Sequence, residues 1–317
     1  MKIFPQDTKI NFIGMRYVAF VISAILLIGS LVVLMGKGLN YGIDFTGGTL
    51  VEIKVSTTTP DLGELRNGLN DLGLGGVSLQ EFGAPDDLLI RMPEQKNTGE
   101  DASEVQNAAL QKLKTYLNEK FETVDYRRVE FVGPQVGEEL KKQGMYAVLF
   151  SILGMLAYIW FRFEWQFSVA AIIALVHDSL ATVGLFALTQ MEFNLSTVAA
   201  ILMIAGYSIN DTVVVFDRIR ENLRKFKKLP VFDVLNNAIN QTLSRTLMTS
   251  VTTLLALIAL WTFGGEVIRG FVNALIVGII IGTYSSIFVA SPVLTFLDIR
   301  RKSQNTPKTD TETSLKA

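Results

Sequence analysis

The sequence predicts an α-helical membrane protein with six transmembrane helices and an α+β ferredoxin-like domain inserted between the first and second helices. Three observations lead to this fold class. The composition is apolar, six runs are long enough to cross a bilayer, and the stretch after the first run has the charge and periodicity of a soluble domain. The 317 residues are 49% hydrophobic and 19% charged, with a mean hydropathy of +0.35, so the chain is more apolar than an ordinary soluble protein.

The composition also excludes several classes of function. With no cysteine and a single histidine, His177, the chain offers neither a thiolate metal site nor a multi-histidine site. No metalloprotease, P-loop or dinucleotide-binding signature occurs in the sequence. The formal net charge of -1 gives no indication of nucleic-acid binding. We therefore expect a protein that is not an enzyme and that holds no metal or organic cofactor.

The apolar runs and the charged loops between them divide the chain into segments. We predict a cytoplasmic N-terminus at 1–16, spans at 17–36, 141–162, 166–188, 195–216, 247–264 and 270–297, a periplasmic domain at 37–140, a cytoplasmic amphipathic loop at 217–246 and a disordered cytoplasmic tail at 298–317. Basic residues crowd the fourth-to-fifth loop and follow the last span, so the positive-inside rule places both termini in the cytoplasm. In the loop, apolar residues at helical spacing predict a helix that lies along the inner membrane surface.

The inserted domain has a recognisable order of elements. Period-two alternation predicts strands at 49–55, 77–82, 87–92 and 124–132, and helical spacing predicts helices at 61–72 and 102–121. The order β-α-β-β-α-β is the split βαβ, ferredoxin-like arrangement. Such a domain fits binding or handling of a partner rather than catalysis.

An ionisable residue, Asp211, lies deep in the apolar run at 195–216. A carboxylate at the centre of a membrane helix costs about 2.5–3.5 kcal/mol on the translocon scale, so a partner, water or a proton must offset that cost. Tyr207 and Ser208 precede it by four and three positions, where their hydroxyl groups can hydrogen-bond the carboxyl group, and Asn210 is a further polar neighbour. Asp211 is therefore the first candidate for a functional residue.

Arg245, at the start of the fifth span, is the best candidate for an ionic partner of Asp211. Thr249, Thr252 and Thr253 continue its side of the helix into the membrane as a hydroxylated stripe. This stripe can line a water-filled crevice, or Arg245 can snorkel to the interface while the threonines bond to their own helix backbone. Burial favours the protonated form of an aspartic acid and a nearby arginine favours the carboxylate, so relative movement of the two helices would switch Asp211.

A second intramembrane carboxylate, Asp178, lies near the middle of the third span beside His177. It can relay protons, or it can be a structural acid that holds helices together. In the last span, small residues recur every four positions and predict close approach of another helix, for which a partner membrane protein is favoured over a helix of this chain. These residues are Gly270, Ala274, Gly278, Gly282, Ser286 and Ala290.

Four motifs occur in an order that a known family shares. They are Gly42-Ile-Asp-Phe-Thr-Gly-Gly48 after the first span, Phe131-Val-Gly-Pro134 at the exit from the domain, Leu175-Val-His-Asp178, and the run from Gly206 to Glu221. Over residues 15–300 the chain resembles the SecD/SecF family of the resistance-nodulation-division (RND) superfamily. The sequence also predicts backbone freedom at a hinge formed by Gly42, Gly47 and Gly48 with Asp44, although glycine turns at a strand start are as often plain structure.

The resemblance implies an RND-type half that joins SecD in a twelve-helix assembly of the bacterial inner membrane. It implies that this assembly works with the SecYEG channel on unfolded preproteins, with YajC and YidC as further partners, and that the proton-motive force drives it with protons as the coupling ion. Asp211 and Arg245 match the family's fourth-span aspartate and fifth-span arginine, which are implied to be essential for proton passage. Asp178 is a further candidate for proton transport.

Three other functions remain as alternatives. A proton-coupled exporter of small molecules or lipids needs a substrate pocket, and one domain of about 100 residues is small for that role. A passive assembly scaffold would tolerate Asp211→Asn. An intramembrane aspartyl protease needs two facing aspartates, for which Asp178 and Asp211 are the candidates, but the Gly-x-Gly-Asp signature is absent before Asp211.

Overall fold

The computed structural model describes residues 8–56, 60–95 and 102–299, and six of the helices within them are long and apolar enough to cross a membrane. In chain order, the helices are α1 (Arg16–Lys37), α2 (Ile43–Thr46), α3 (Leu62–Asp71), α4 (Ala102–Lys120), α5 (Pro134–Arg162), α6 (Trp165–Thr189), α7 (Leu195–Lys225), α8 (Val231–Phe263), α9 (Arg269–Ser285) and α10 (Ser291–Val293). The strands are β1 (Asn40–Tyr41), β2 (Gly48–Val55), β3 (Ser78–Phe82), β4 (Ala84–Met92), β5 (Val124–Val132) and β6 (Glu192–Phe193). The first seven residues, and the predicted tail from residue 300 onward, lie outside the described residues.

Three of the membrane helices form the centre of the bundle. The rest of the chain buries 56% of the central stretch of α6, 50% of that of α7 and 61% of that of α9, with the turns that follow it. In α1, α5 and α8 the corresponding fractions are 11%, 11% and 17%. The outer helices therefore present most of their apolar side chains to lipid or to another membrane protein.

The small-residue stripe of the last span packs inside this chain. A Cβ atom added at Gly278 would collide with the side chain of Ile204, and one added at Gly282 would lie 3.1 Å from Cβ of Ser208. Both neighbours belong to α7, so the stripe lets α9 approach α7 closely. The partner helix of the stripe is therefore part of this chain, and the expectation of a partner membrane protein at this stripe is wrong.

The inserted domain has the predicted β-α-β-β-α-β order. Its sheet has the strand order β3-β4-β2-β5, and every neighbouring pair is antiparallel, which is the ferredoxin-like topology. The alternate residues Val51, Ile53 and Val55 of β2 are buried against Leu65 of α3 and Leu113 of α4. One face of the sheet thus packs on two helices, and the predicted fold class is confirmed.

A small ribbon connects the domain to the bundle. Strand β1, after α1, pairs in parallel with β6, which lies between α6 and α7. Both described chain ends lie at the opposite end of the bundle. There, Asn240 in α8 exchanges two hydrogen bonds of 3.0 and 2.9 Å with the backbone of Ile10, and Gln166 at the start of α6 donates to the carbonyl of Asp298 at 3.0 Å.

The predicted cytoplasmic loop at 217–246 is almost entirely helical. Helix α7 continues to Lys225, a short turn follows, and α8 runs without a break from Val231 to Phe263. The amphipathic segment is therefore the first part of α8 and not a separate helix on the membrane surface. Its apolar residues are fully buried in the bundle because they pack against the protein itself. They are Val234, Leu235, Ala238 and Ile239.

Candidate functional site

Asp211 lies in the middle of α7, and its residue surface is only 3% exposed. One carboxyl oxygen, Oδ1, is 3.5 Å from the hydroxyl of Thr249 in α8, which is a long and weak hydrogen bond. The other oxygen, Oδ2, is buried without a hydrogen-bond partner among the described residues. A buried carboxylate in this state lacks the hydrogen bonds that an ionised group needs.

The threonines of the α8 stripe bond mainly to the backbone of their own helix, which is one of the two interpretations of the sequence. The Thr249 hydroxyl lies closest to the carbonyl of Thr246, at 2.9 Å, and the Thr253 hydroxyl lies 2.8 Å from the carbonyl of Thr249. These are bonds to the helix's own backbone. The same two threonines nevertheless face α7, since the Thr253 hydroxyl also lies 3.5 Å from the hydroxyl of Tyr207. Asp211 and Tyr207 therefore meet α8 through long polar contacts.

Arg245 lies one turn from Thr249, towards the end of the bundle that is remote from the domain. It is exposed, and no ion pair joins it to Asp211 in the described part of the chain. Its side chain lines a recess of about 430 Å³, together with Asn210 and Asp217 of α7. The structure thus places the predicted partner on the neighbouring helix, in a recess and without an ion pair to Asp211 among the described residues.

Asp178 of α6 sits in a very different environment. It is 0% exposed, and its Oδ2 atom accepts hydrogen bonds from the hydroxyl of Ser208 in α7 at 2.5 Å and from the hydroxyl of Ser285 in α9 at 2.7 Å. Its Oδ1 atom lies 2.9 Å from Nδ1 of His177. Both oxygens are satisfied, and the carboxyl group joins the three central helices.

The structure separates residues that the sequence places together. Ser208 bonds to Asp178 and not to Asp211, and Tyr207 faces Thr253. Asp178 and Asp211 share no partner among the described residues, so they do not form the facing pair of an aspartyl protease. The sequence analysis misses Ser285; its signal is the cluster of hydroxyl-bearing residues in the apolar run of the last span.

A π-helical turn follows α9 at Ser286–Ala290, next to the Asp178 cluster. The Ser286 hydroxyl lies 2.9 Å from that of Thr212 in α7. Insertions of this kind inside membrane helices often mark functional sites, because they re-aim the side chains around them. In this chain the turn adds a second hydroxyl contact between α7 and the last span.

The glycine motif after the first span packs directly on the start of α7. Asp44 accepts a hydrogen bond of 2.9 Å from the backbone N–H of Leu195, the first residue of α7. A carboxylate at this position is favoured by the positive end of the helix dipole. A Cβ atom at Gly42 would lie 2.5 Å from Oε1 of Glu192, and one at Gly48, where φ is +112°, would collide with the carbonyl oxygen of Met92. These glycines permit close contacts, and the hinge stays a prediction.

An ion pair that the sequence analysis misses strengthens this junction. Arg91 of β4 lies 3.0 Å from the carboxylate of Glu192 in β6, and both side chains are largely buried. Its guanidinium also donates to the side chain of Asn40 and to the carbonyl of Tyr41, each at 3.2 Å. The sheet is thereby attached to the connection that leads into α7.

In the described residues no group of three potential metal ligands occurs.

Comparison with known families gives matches over most of the chain. Residues 112–300 match the model of the protein export membrane protein SecD/SecF, C-terminal, and residues 32–59 match the SecD/SecF GG motif. A protein translocase subunit SecF from Rickettsia conorii is 44% identical over 303 residues, which are 95% of this chain and 96% of the relative. The same subunit from Calditerrivibrio nitroreducens is 44% identical over 305 residues, covering 95% of this chain and 98% of the relative.

Two solved structures are also similar. The crystal structure of SecDF from Thermus thermophilus, a translocon-associated membrane protein, is 37% identical with a TM-score of 0.83 and matches 93% of this chain. A structure of SecDF in a super-membrane-facing form is 38% identical with a TM-score of 0.67 and matches 94% of this chain. The chain spans only 39% and 40% of these two longer proteins.

Proposed function

The chain belongs to the SecD/SecF family of protein export membrane proteins, and we propose that it occupies the SecF position of a SecD–SecF pair that uses the proton-motive force to promote preprotein export through SecYEG. The matches to SecF relatives, which cover 95% of this chain and nearly the whole length of those relatives, carry this conclusion. YajC and YidC are further proposed partners. The cargo is an unfolded preprotein, and the coupling ion is the proton.

The distribution of charge supports an orientation for this assembly. The end of the bundle remote from the domain carries the basic residues of α7 and of the turn that follows it, so the positive-inside rule favours the cytoplasm there. Both termini are then cytoplasmic, and the ferredoxin-like domain is periplasmic. The membrane is the bacterial inner membrane, where SecYEG operates.

We assign the proton-binding role to Asp211. Its unpartnered Oδ2 atom is buried in a membrane helix, where an ionised carboxylate is costly unless a cation or water reaches it. The group can therefore exist in two states, one protonated and one ionised with a partner. A proton that moves inward through 100 mV supplies about 2.3 kcal/mol, which biases a two-state equilibrium about fiftyfold.

Arg245 is the proposed partner of the ionised state. Its side chain stands in the recess one turn away from Thr249, and a movement of the guanidinium along α8 brings it to the carboxylate. The polar contacts between α7 and α8 near Asp211 are both 3.5 Å long, whereas the hydrogen bonds around Asp178 are 2.5 and 2.7 Å. A movement between α7 and α8 at Asp211 would therefore break weaker polar contacts than a movement around Asp178.

Asp178 is less suited to carry protons. Three groups already hydrogen-bond its two oxygens, so a movement of this carboxyl group would break contacts within and between the central helices. We propose that it holds α6, α7 and α9 together as one unit while Asp211 and Arg245 rearrange.

The two solved SecDF structures match this chain with TM-scores of 0.83 and 0.67 at nearly equal identity and coverage, so these relatives adopt different shapes.

Motion of the membrane bundle is transmitted to the periplasmic domain at the start of α7. Asp44 binds the first N–H of α7, and Arg91 of the sheet binds Glu192 just before it. A tilt of the unit formed by α6, α7 and α9 would therefore move the domain, which can grip an emerging chain through a sheet edge and hinder its backsliding. The test of the proposed function is preprotein export into membrane vesicles that lack the chain. Adding it back should raise export only when a proton gradient is present, and equal stimulation without a gradient would contradict the proposal.

Replacement of Arg245 should distinguish its charge from its packing. We expect Arg245→Gln to abolish gradient-stimulated export, because the ionised Asp211 then has no cation to meet, and Arg245→Lys to retain part of it. Export into vesicles with and without a gradient measures both. If Arg245→Gln exported as well as the wild type, the arginine would only be snorkelling to the interface.

The junction can be tested by a double-mutant cycle. We expect Arg91→Ala and Glu192→Ala each to lower gradient-stimulated export by roughly fivefold, the lower end of typical coupling between sites. The double variant should be no worse than either single variant, because both remove one contact. Lys120→Ala, which removes an exposed ion pair to Glu64 between the two helices of the same domain, is the control and should have little effect. Additive losses in the double variant would show that the pair does not act as a unit.

A further inference from the structure

A basic recess lies at the end of the bundle that carries both chain ends. It has a volume of about 510 Å³ and lies between the last residue of α5 and the last three turns of α7. Its lining residues are Arg162, Asp217, Arg220, Glu221, Arg224 and Lys225. All of them are charged, so a ligand that fits this recess would itself be charged.

Both acidic residues of the recess are already paired. Asp217 accepts two hydrogen bonds from Arg162, at 2.9 and 3.1 Å, and Glu221 accepts one from Arg218 at 2.8 Å. Among the described residues, no carboxylate forms an ion pair with the three remaining cations. These are Arg220, Arg224 and Lys225. The recess therefore has a positive excess and guanidinium donors available for an anion.

The surroundings of the recess indicate where the rest of the ligand lies. Phe161 of α5 is 96% exposed, Trp160 is 71% exposed and Trp165 at the start of α6 is 56% exposed. Exposed aromatic residues at a helix end are typical of the level of the lipid head groups. Above them, only 11% of the central stretch of α5 is buried. A ligand in the recess thus has cations around one end and an apolar helix surface beside the other.

We propose that this recess binds the phosphate of an anionic phospholipid, with its acyl chains lying along α5. Guanidinium groups bind phosphate oxygens in pairs, and basic pockets between membrane helices suit phospholipid head groups. A free phosphate ion satisfies the cations but leaves the exposed aromatic residues and α5 without a role. The recess contains neither Asp211 nor Arg245, although Asp217 and Glu221 also line the recess of Arg245.

The test measures lipid binding to the full chain, purified in detergent, by native mass spectrometry. The probes are dioleoylphosphatidylglycerol, dioleoylphosphatidylcholine and inorganic phosphate. We expect one phosphatidylglycerol to bind with at least about tenfold preference over phosphatidylcholine, and inorganic phosphate not to displace it. No preference between the two lipids, or full displacement by millimolar phosphate, would overturn the proposal.

A matched pair of variants separates this site from the general positive charge of the loop. We expect Arg220→Gln/Arg224→Gln to lower the affinity for phosphatidylglycerol by about tenfold or more. Lys227→Gln/Lys228→Gln removes the same charge from exposed positions next to the recess, and it should retain the wild-type affinity. Equal losses in both variants would overturn the proposal in favour of unspecific surface attraction. If the first variant does not fold, Arg220→Lys/Arg224→Lys, which keeps the charge but loses paired donors, should still bind more weakly than the wild type.

Discussion

Asp211→Asn should abolish the response of preprotein export to the proton gradient. The amide keeps the size of the side chain but cannot release a proton, so the Asp211 site stays in its neutral state whatever the gradient. We expect export with a gradient to fall to the level measured without one. The measurement is export into vesicles that contain the variant with its partner and the channel.

The control for this substitution is a carboxylate on the same helix. Asp217 lies further along α7, is 43% exposed and pairs with Arg162. Asp217→Asn removes the same charge outside the buried part of the helix, and we expect it to keep most of the gradient response. A wild-type response from Asp211→Asn, at equal amounts of protein in the membrane, would leave the chain as a passive scaffold.

The double substitution Ser208→Ala/Ser285→Ala should destabilise the bundle strongly while leaving every charge in place. It removes two short hydrogen bonds to the buried carboxyl group of Asp178, and each hydrogen bond to a charged group contributes about 1.5–3 kcal/mol. The carboxylate is then left with His177 as its main partner. We expect a clear drop in the temperature at which the purified protein unfolds in detergent.

Ser168→Ala is the matched control for that loss of stability. Ser168 is a buried serine on α6 whose hydroxyl has no partner among the described residues, so its removal should change the unfolding temperature little. If the double variant unfolded at the same temperature as Ser168→Ala, Asp178 would not be holding the three helices together. The proton-relay interpretation of Asp178 would then regain support.

The main elements of the fold could be predicted because their patterns are periodic. Long apolar runs predict the membrane helices. Period-two alternation in the strands, with helical spacing in the segments between them, predicts the ferredoxin-like domain. The loop at 217–246 was predicted wrongly as a surface helix. Its apolar face shows that one side is buried but does not say against what, and in the structure Val234 and Leu235 pack on the protein itself.

Helix geometry explains why the partner of Ser208 was not predicted correctly. Two residues three positions apart on an α-helix point in directions about 60° apart, and in α7 this angle separates two neighbours. Ser208 faces Asp178 and α9, whereas Asp211 faces Thr249 of α8. The pairing of α7 with α8 could be inferred from Asp211 and Arg245, but the joining of three helices at Asp178 depends on tertiary packing.

The central claim is that Asp211 carries the protons that drive export, and the most direct test is to measure those protons. The chain, its partner and the channel are reconstituted in liposomes that contain a pH-sensitive dye, and a gradient is imposed while a preprotein is exported. The account predicts proton movement that accompanies export with the wild-type chain and is absent with Asp211→Asn, while Asp217→Asn behaves as the wild type. Equal proton movement with wild type and Asp211→Asn would contradict it.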